Sequence, residues 1–311
     1  MKAMLLTGHG GPEMLRYGEA PDPIAGPGQV VVDVHAASVN AADYKVRLGG
    51  GAYSSARPLS FPYILGRDFS GVVAERGPGV AEFAIGDPVF GVTDQGIEGA
   101  YAEKLAIAAA IIAKKPPRLG HAEAAAMALT GLTALWALED TAHLEEDETV
   151  LIHGGAGGVA GFAIQLAKHL GATVITTASA RNHDYVRRLG ADRVIDYNAE
   201  DFTTAVRDCD VVFDTVGGDV QARSYKVLKP GGRLVWIAPA PAGFTPPRKD
   251  VKVLRPNVAR DRTHLERIAA LYQAGAVAPP AIARYTLAEA AEAHRVSESR
   301  HLQGKLVLIV R

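Results

Sequence analysis

Cysteine is nearly absent. The 311 residues contain one, Cys209, which excludes an intrachain disulfide and any cysteine-rich zinc site. It stands in Asp208-Cys209-Asp210, just ahead of an apolar run, a setting that predicts packing rather than redox work. Charge of one sign is missing too: 33 Lys and Arg face 34 Asp and Glu, for a net charge of -1. No overall basic field exists to attract nucleic acid. Long apolar runs are also lacking, since the longest, 105–113, is far below the roughly 20 residues that span a bilayer. The start, Met1-Lys2-Ala3-Met4-Leu5-Leu6, turns quickly to glycines without the basic-apolar-small pattern of an export signal. These absences predict a cytoplasmic protein with neither a nucleic-acid nor a membrane partner. What is there fits a globular protein with a sizeable core: 48% hydrophobic and 22% charged residues, in a chain long enough for two domains.

The most informative stretch is Val150-Leu151-Ile152-His153-Gly154-Gly155-Ala156-Gly157-Gly158-Val159-Ala160-Gly161. An apolar, β-rich run meets a glycine cluster and then a segment with apolar residues at helical spacing. Gly155-x-Gly157-x-x-Ala160 fits the G-x-G-x-x-G/A dinucleotide fingerprint in its required strand-before, helix-after context. One glycine turns the chain sharply, a second admits a pyrophosphate without a Cβ in the way, and the small third residue lets helix and sheet pack closely. The helix N-terminus offers unpaired N–H groups and a partial positive charge to phosphate. Gly155, Ala156, Gly157, Gly158 and Val159 are therefore expected to bind the cofactor.

The next strand, 172–179, argues which dinucleotide. An Asp or Glu about 20 residues past the loop marks a cofactor with a free ribose diol. None stands there. The strand runs instead into Ser179-Ala180-Arg181-Asn182-His183, a hydroxyl and a guanidinium suited to a 2′-phosphate. This favours NADP over NAD.

Residues up to about 118 read as short strands between frequent Gly and Pro turns, with one brief helix at 40–48, the pattern of a compact β domain. Lys114-Lys115-Pro116-Pro117-Arg118 marks a boundary. An alanine-rich helical stretch follows at 121–139. Strands at 150–153, 173–178, 193–195, 211–216 and 233–238 then alternate with helices at 158–170, 183–189 and 221–228, the signature of a parallel sheet wrapped by helices. A possible edge strand at 251–254, amphipathic helices at 262–273 and 287–295, and a last strand at 305–310 complete the chain. That strand has no helix after it and is free to return to the N-terminal domain. The fold class expected is α/β, with a β-rich domain at 1–120 completed by 277–311 and a nucleotide domain at 121–276.

Together these words resemble the zinc-free branch of the medium-chain dehydrogenase/reductases, the quinone oxidoreductase (zeta-crystallin-like) group. The matching segments include Val39-Asn40-Ala41-Ala42-Asp43-Tyr44-Lys45-Val46-Arg47, Leu65-Gly66-Arg67-Asp68-Phe69-Ser70-Gly71-Val72-Val73 and Leu129-Thr130-Gly131-Leu132-Thr133-Ala134. The glycine loop, Asp214-Thr215-Val216-Gly217-Gly218 and Gly304-Lys305-Leu306-Val307-Leu308 follow in the family's order. The resemblance implies a GroES-like substrate domain, a Rossmann domain, NADPH as hydride donor and a homodimer, with the edge strand near 251–254 as its candidate contact. It places Thr130 beside the nicotinamide, Ser179, Arg181 and Tyr197 near the adenosine phosphate, and Val216, Gly217, Ile237 and Ala238 along the cofactor. Zinc-dependent relatives carry Cys at the position of Asn40 and His-Glu at Arg67-Asp68. An amide and a cation stand here instead, so no metal is expected.

Without a metal, an ordinary ketone is a poor substrate, because developing alkoxide charge needs a stabiliser. A quinone or an α,β-unsaturated carbonyl spreads that charge through conjugation, which predicts direct hydride transfer to such acceptors. An enoyl-thioester reductase, and a non-catalytic NADPH-binding sensor or structural protein, stay open. On the substrate side Asn40 and Tyr53 are the candidate donors. Asn40 serves equally as a turn former at a short helix start, and Tyr53, in Gly49-Gly50-Gly51-Ala52-Tyr53, equally as a packed ring.

Overall fold

A computed structural model describes residues 1–50, 58–94, 96–97 and 99–311. The chain opens with β1 (Lys2–Leu6), β2 (Leu15–Glu19), β3 (Gln29–Val39) and helix α1 (Ala41–Arg47). Strands β4 (Tyr63–Ile64), β5 (Asp68–Arg76), β6 (Pro88–Val92), β7 (Lys104–Ala108) and β8 (Ile112–Lys114) follow. Helix α2 (His121–Leu135) ends in a π-helical turn at Trp136–Thr141. An alternating run comes next: β9 (Thr149–Ile152), α3 (Gly158–His169), β10 (Thr173–Ala178), α4 (His183–Arg188), β11 (Arg193–Asp196), α5 (Phe202–Ala205), β12 (Cys209–Asp214), α6 (Asp219–Ser224), β13 (Leu228–Trp236) and β14 (Lys252–Leu254). Helix α7 (Arg262–Gln273), β15 (Ile282–Thr286), α8 (Ala290–Glu298) and β16 (Lys305–Ile309) close the chain.

Two compact units emerge. The first holds Met1–Leu129, Arg260–Gln273 and Pro279–Arg311, and the second Thr130–Ala259 with Ala274–Ala278. In the first, a seven-stranded sheet runs β15-β16-β3-β5-β6-β8 with β7 also on β3, beside a small β2-β1-β4 sheet. The long β3 carries an almost unbroken run of buried residues, as a strand covered on both faces must. The closing strand β16 pairs antiparallel with β3, Leu306 opposite Val39 and Ile309 opposite Ala36, so the chain's end does return to the first unit.

Sequence alternation expected 121–129 and 260–273 in the nucleotide domain, and the compact units divide the chain differently. Ala122, Ala125 and Ala126 of α2 are small enough to pack closely on Ala36 and Val307 of the first unit. Helix α7 is tied there by Arg262, which donates to the carbonyls of Ile112 (3.2 Å) and Ala109 (2.6 Å) and pairs with Glu82 at 2.9 Å. Strand β15 carries no strand signal in the sequence. Its burial alternates weakly, with Arg284 and Ala283 exposed, so an outer strand left little apolar signal.

The second unit is a six-stranded sheet, β11-β10-β9-β12-β13-β14, in which every pairing is parallel. Parallel strands share one carboxyl edge, and the order reverses between β9 and β12, the place where open α/β sheets take ligands. Helix α3 is an ordinary covering helix. Phe162, Ala163, Leu166 and Ala167 are buried, Lys168 and His169 suit the negative end of its dipole, and Gly171 at φ +86° ends it in a left-handed turn. Strand β14 is an outer strand of this sheet, as is β11, with Val253 40% exposed.

Candidate functional site

The glycine loop leaves β9 at the order-reversal point. Gly154 takes a left-handed φ of +74°, and its N–H donates to Thr177 Oγ1 at 3.1 Å. The N–H of Gly155 donates to the Thr177 carbonyl at 2.9 Å, and that of Gly157 to the Gly154 carbonyl at 2.9 Å. Gly157 then serves as the N-cap of α3 in extended conformation, with no side chain of its own to cap the helix. Gly158, Val159 and Ala160, the first turn, have no intrahelical acceptor for their N–H groups. Gly155 is fixed by space: a Cβ there would meet Thr176 Oγ1 at 2.2 Å. Thr176 cannot readily move, because it is buried and donates to the Ile152 carbonyl at 2.7 Å.

The loop after β12 lies against the glycine loop. Thr215 Oγ1 donates to the His153 carbonyl at 2.8 Å. Asp214, fully buried, accepts the N–H groups of Val216 (2.9 Å) and Gly217 (3.0 Å). Burial pushes its pKa up, and those N–H groups pull it back. A buried carboxylate thus pins the turn, in which Gly217 sits at φ +78° with Pro239 and Ala238 crowding its empty Cβ position. The Gly218 N–H donates to the Pro239 carbonyl and the Ile237 N–H to the Asp214 carbonyl. Val216, Gly217, Ile237 and Ala238 are therefore brought together just past the ends of β12 and β13, and Val216 is 47% exposed.

Ser179 and Arg181 follow β10, the strand beside β9. Asn182 holds the turn by donating its side-chain amide to Ser179 Oγ at 3.2 Å, and Arg181 is exposed. Tyr197 follows β11 and is exposed. No carboxylate ends β10. Thr130 lies in α2, buried, at the first residue of the second unit.

The remaining candidates belong to the first unit. Tyr53 lies outside the described residues. Asn40 stands at the start of α1 inside a buried polar network. Its side-chain amide donates to Asp68 and to the Ser38 carbonyl (3.3 Å), and its own carbonyl accepts Lys305 Nζ at 2.6 Å. Both amide hydrogens are thus committed within the protein. The expected donation to a substrate has none left to use, and the supporting role at the helix start fits instead, with the Asn40 backbone N–H donating to Asp43 at 2.8 Å.

Around Asn40 the charges balance. Asp68 accepts from Ser38 at 3.0 Å and lies 4.0 Å from Lys305 Nζ. Arg67 Nε lies 3.9 Å from Asp43 Oδ1, and Tyr101 donates to Asp43 Oδ2 at 2.8 Å. Burial pushes the Asp43 carboxyl up to about 6, with Arg67 pulling it back. Burial also lowers the Lys305 ammonium, against the pull of Asp68 and Asp43. Beyond Tyr101, His294 accepts from Arg47 at Nδ1 (3.3 Å), leaving Nε2–H to face the Tyr101 oxygen at 3.4 Å. Lys305 is spent in this network, donating also to the Val39 carbonyl at 2.9 Å. It could not be found by spacing, because it meets Asn40 across 265 positions.

A zinc ion does not fit these side chains. At positions 40, 67 and 68 stand an amide whose oxygen is taken by an ammonium, a guanidinium and a carboxylate already paired. Among the described residues, no three His, Cys, Asp or Glu side chains come together to hold a metal.

Comparison with known proteins gives two family matches: an alcohol dehydrogenase GroES-like domain over residues 26–117 and a zinc-binding dehydrogenase over 189–308. The chain is 33% identical to the mitochondrial NAD(P)H oxidoreductase RTN4IP1 of Danio rerio, covering 100% of this chain and 91% of that protein. It is 32% identical to the chloroplast envelope quinone oxidoreductase homolog of Arabidopsis thaliana, covering 96% and 95%. It is also 34% identical to a phthioceranic/hydroxyphthioceranic acid synthase of Mycobacterium tuberculosis, covering 91% of this chain and 14% of that much longer protein. The fold matches the quinone oxidoreductase of Coxiella burnetii with a TM-score of 0.93 at 38% identity, covering 100% and 99%. It matches the Escherichia coli quinone oxidoreductase complexed with NADPH with a TM-score of 0.90 at 30% identity, covering both chains fully. The chain belongs to the quinone oxidoreductase family of the medium-chain dehydrogenase/reductases.

Proposed function

We propose that this protein is an NADPH-dependent oxidoreductase that reduces quinones or α,β-unsaturated carbonyls by direct hydride transfer without a metal. The observation that carries the reading is the glycine loop at the reversal point of a parallel sheet, followed on β10 by Ser179 and Arg181 and no acid. The E. coli relative with NADPH bound supports the same cofactor. The cofactor residues proposed are Thr130, Gly155, Ala156, Gly157, Gly158, Val159, Ser179, Arg181, Tyr197, Val216, Gly217, Ile237 and Ala238.

Bound NADPH supplies the hydride. The chain supplies the rest: a close backbone approach at Gly155, donors in the first turn of α3, and a cation at Arg181 for the 2′-phosphate. Holding reacting atoms at about 3.5 Å is worth several kcal/mol on its own. Positive charge around Asn40 comes from Lys305 and Arg67, both neutralised by Asp68 and Asp43. No Lewis acid is proposed there, which favours acceptors that delocalise charge themselves. Tyr53 remains the proposed donor to the substrate oxygen. The proposal includes a cytoplasmic homodimer joined through β14.

The mycobacterial synthase match favours a second reading, an enoyl-thioester reductase. One experiment separates the two: NADPH oxidation at 340 nm against 1,4-benzoquinone, 9,10-phenanthrenequinone, a 2-alkenal and crotonyl-CoA. Turnover of the quinones or the alkenal with crotonyl-CoA inert supports the first reading. Preferred turnover of crotonyl-CoA replaces it with the second.

A further inference from the structure

His153 is buried at the end of β9, and its ring bridges two hydroxyls. Nδ1 lies 3.2 Å from Thr177 Oγ1, and Nε2 lies 3.1 Å from Ser224 Oγ. The donors and acceptors can be assigned by elimination. Ser224 donates its only hydroxyl proton to the Val220 carbonyl at 2.7 Å. Ser224 must therefore accept from His153, and the proton sits on Nε2. Nδ1 is then an acceptor, and Thr177 must donate to it. The Thr177 oxygen has a lone pair left, and this takes the Gly154 N–H at 3.1 Å. The result is one directed chain, from Gly154 N–H through Thr177, His153 and Ser224 to the Val220 carbonyl of α6.

The ring is held on all sides. The His153 backbone N–H donates to the Phe213 carbonyl at 3.0 Å, and the carbonyl accepts Thr215 Oγ1. Phe202 packs edge-on at 4.7 Å between ring centroids. His153, Thr177 and Ser224 are 1%, 4% and 0% exposed. Burial and nearby Arg223 push the imidazole down to about 3, so the neutral tautomer that the chain requires persists at neutral pH. Gly154 is the residue whose left-handed turn opens the glycine loop, and its N–H direction fixes that turn.

We infer that His153, Thr177 and Ser224 act as positioning residues for the pyrophosphate of NADPH, orienting Gly154 and through it the loop. The inference rests on the cofactor reading above. It predicts that part of the affinity for the diphosphate is set by buried side chains one step removed from it, since misdirected loop amides bind an anion less well.

The test measures Kd for NADPH and for 2′-AMP, which carries the 2′-phosphate but no 5′-phosphate for the loop, on the full-length protein. Thr177→Val removes the acceptor for Gly154. His153→Leu removes the acceptor that orients Thr177. His153→Asn returns a carboxamide oxygen near the Nδ1 position. Thr177→Val and His153→Leu should each raise Kd for NADPH about tenfold, the loss of one well-made hydrogen bond. Kd for 2′-AMP should stay within about twofold, and His153→Asn should recover most of the NADPH affinity. In turnover the loss should fall on KM for NADPH. Should Thr177→Val not fold, the Leu and Asn variants at 153 decide alone. An unchanged NADPH Kd in the folded variants overturns the inference, as does equal weakening of 2′-AMP, which would indicate general loosening. A wild-type protein that binds 2′-AMP and NADPH not at all would overturn the cofactor reading and this inference with it.

Discussion

Replacing Gly155 with alanine tests the loop at its tightest point. The new Cβ would stand 2.2 Å from Thr176 Oγ1, 3.1 Å from Thr176 Cγ2 and 3.2 Å from Ile164 Cδ1. The first distance is about 1 Å inside van der Waals contact, so something must shift. Thr176 is β-branched, stiff at χ1 and buried in the middle of the sheet. Rotating it forfeits the 2.7 Å bond to the Ile152 carbonyl and leaves a buried hydroxyl unsatisfied, which costs about 1–3 kcal/mol. Off-rotamer strain adds about 1 kcal/mol. The alternative is displacement of the loop, which moves the cost into cofactor binding. The expected outcome is a loss of about 2–4 kcal/mol divided between stability, read by urea unfolding, and NADPH affinity, read by fluorescence titration. The double variant with Thr176→Ala removes the clashing atoms. It should be less impaired than the two single losses added together, giving a coupling of about 1–2 kcal/mol. Gly155→Ala with native urea midpoint and native NADPH affinity would refute the close approach on which the loop reading stands.

Other consequences follow from the buried charges. Burial holds the His153 and His294 imidazoles at about 3, so the unfolded chain takes up their protons first as pH falls below about 6.5. Stability is full above that pH and is lost towards pH 3. At pH 5 each histidine costs about 2 kcal/mol, and Asp43, pushed up to about 6, returns about 1 kcal/mol. Urea unfolding at pH 5 should therefore give a clearly lower free energy than at pH 7, and equal or greater stability at pH 5 would contradict the neutral assignments. Lys305→Met leaves Asp68 and the Asn40 and Val39 oxygens without their cation. It should cost about 3–5 kcal/mol, and a change below 1 kcal/mol in urea unfolding would show that the network is not balanced as described. Arg181→Ala should raise KM for NADPH about 10-fold or more, the worth of a charge-assisted hydrogen bond. KM for NADH should change little, and an equal effect on both would remove Arg181 from the 2′-phosphate.

Local signals carried much of this architecture and its cofactor loop. Glycines at 155 and 157, flanked by an apolar strand and a helical repeat, announce themselves within a dozen residues, and the β-α alternation placed β9 to β12 closely, while β13 begins at Leu228, inside the stretch expected as helix. The strand at Lys305–Ile309 was legible because Leu306, Val307, Leu308 and Ile309 form an apolar run straight after Gly304. What was not legible lies between distant residues or on outer surfaces. Asn40 looked like a free donor because Lys305, 265 positions away, and Asp68, 28 positions away, leave no trace in its neighbourhood. Helix α7 has a clear apolar face, but a helical period does not say which unit that face covers. Strand β15 is an outer strand of mixed exposure, and period-2 patterning fades where neither face is fully buried. Cys209, read as a packing residue, opens β12 fully buried with its thiol pushed up to about 12, as inert as its surroundings suggested.

Hydride transfer from NADPH without a metal, as proposed, is tested by the kcat/KM of a metal-stripped preparation. The protein is treated with chelator until metal analysis finds less than about 0.05 zinc per chain, assayed with NADPH and a quinone, then assayed again after zinc is added back. With Asn40, Arg67 and Asp68 paired as described, a cation has no ligand set to enter. Metal-free transfer gives the same kcat/KM before stripping, after it and with zinc restored. Activity lost on stripping and recovered with zinc would contradict it.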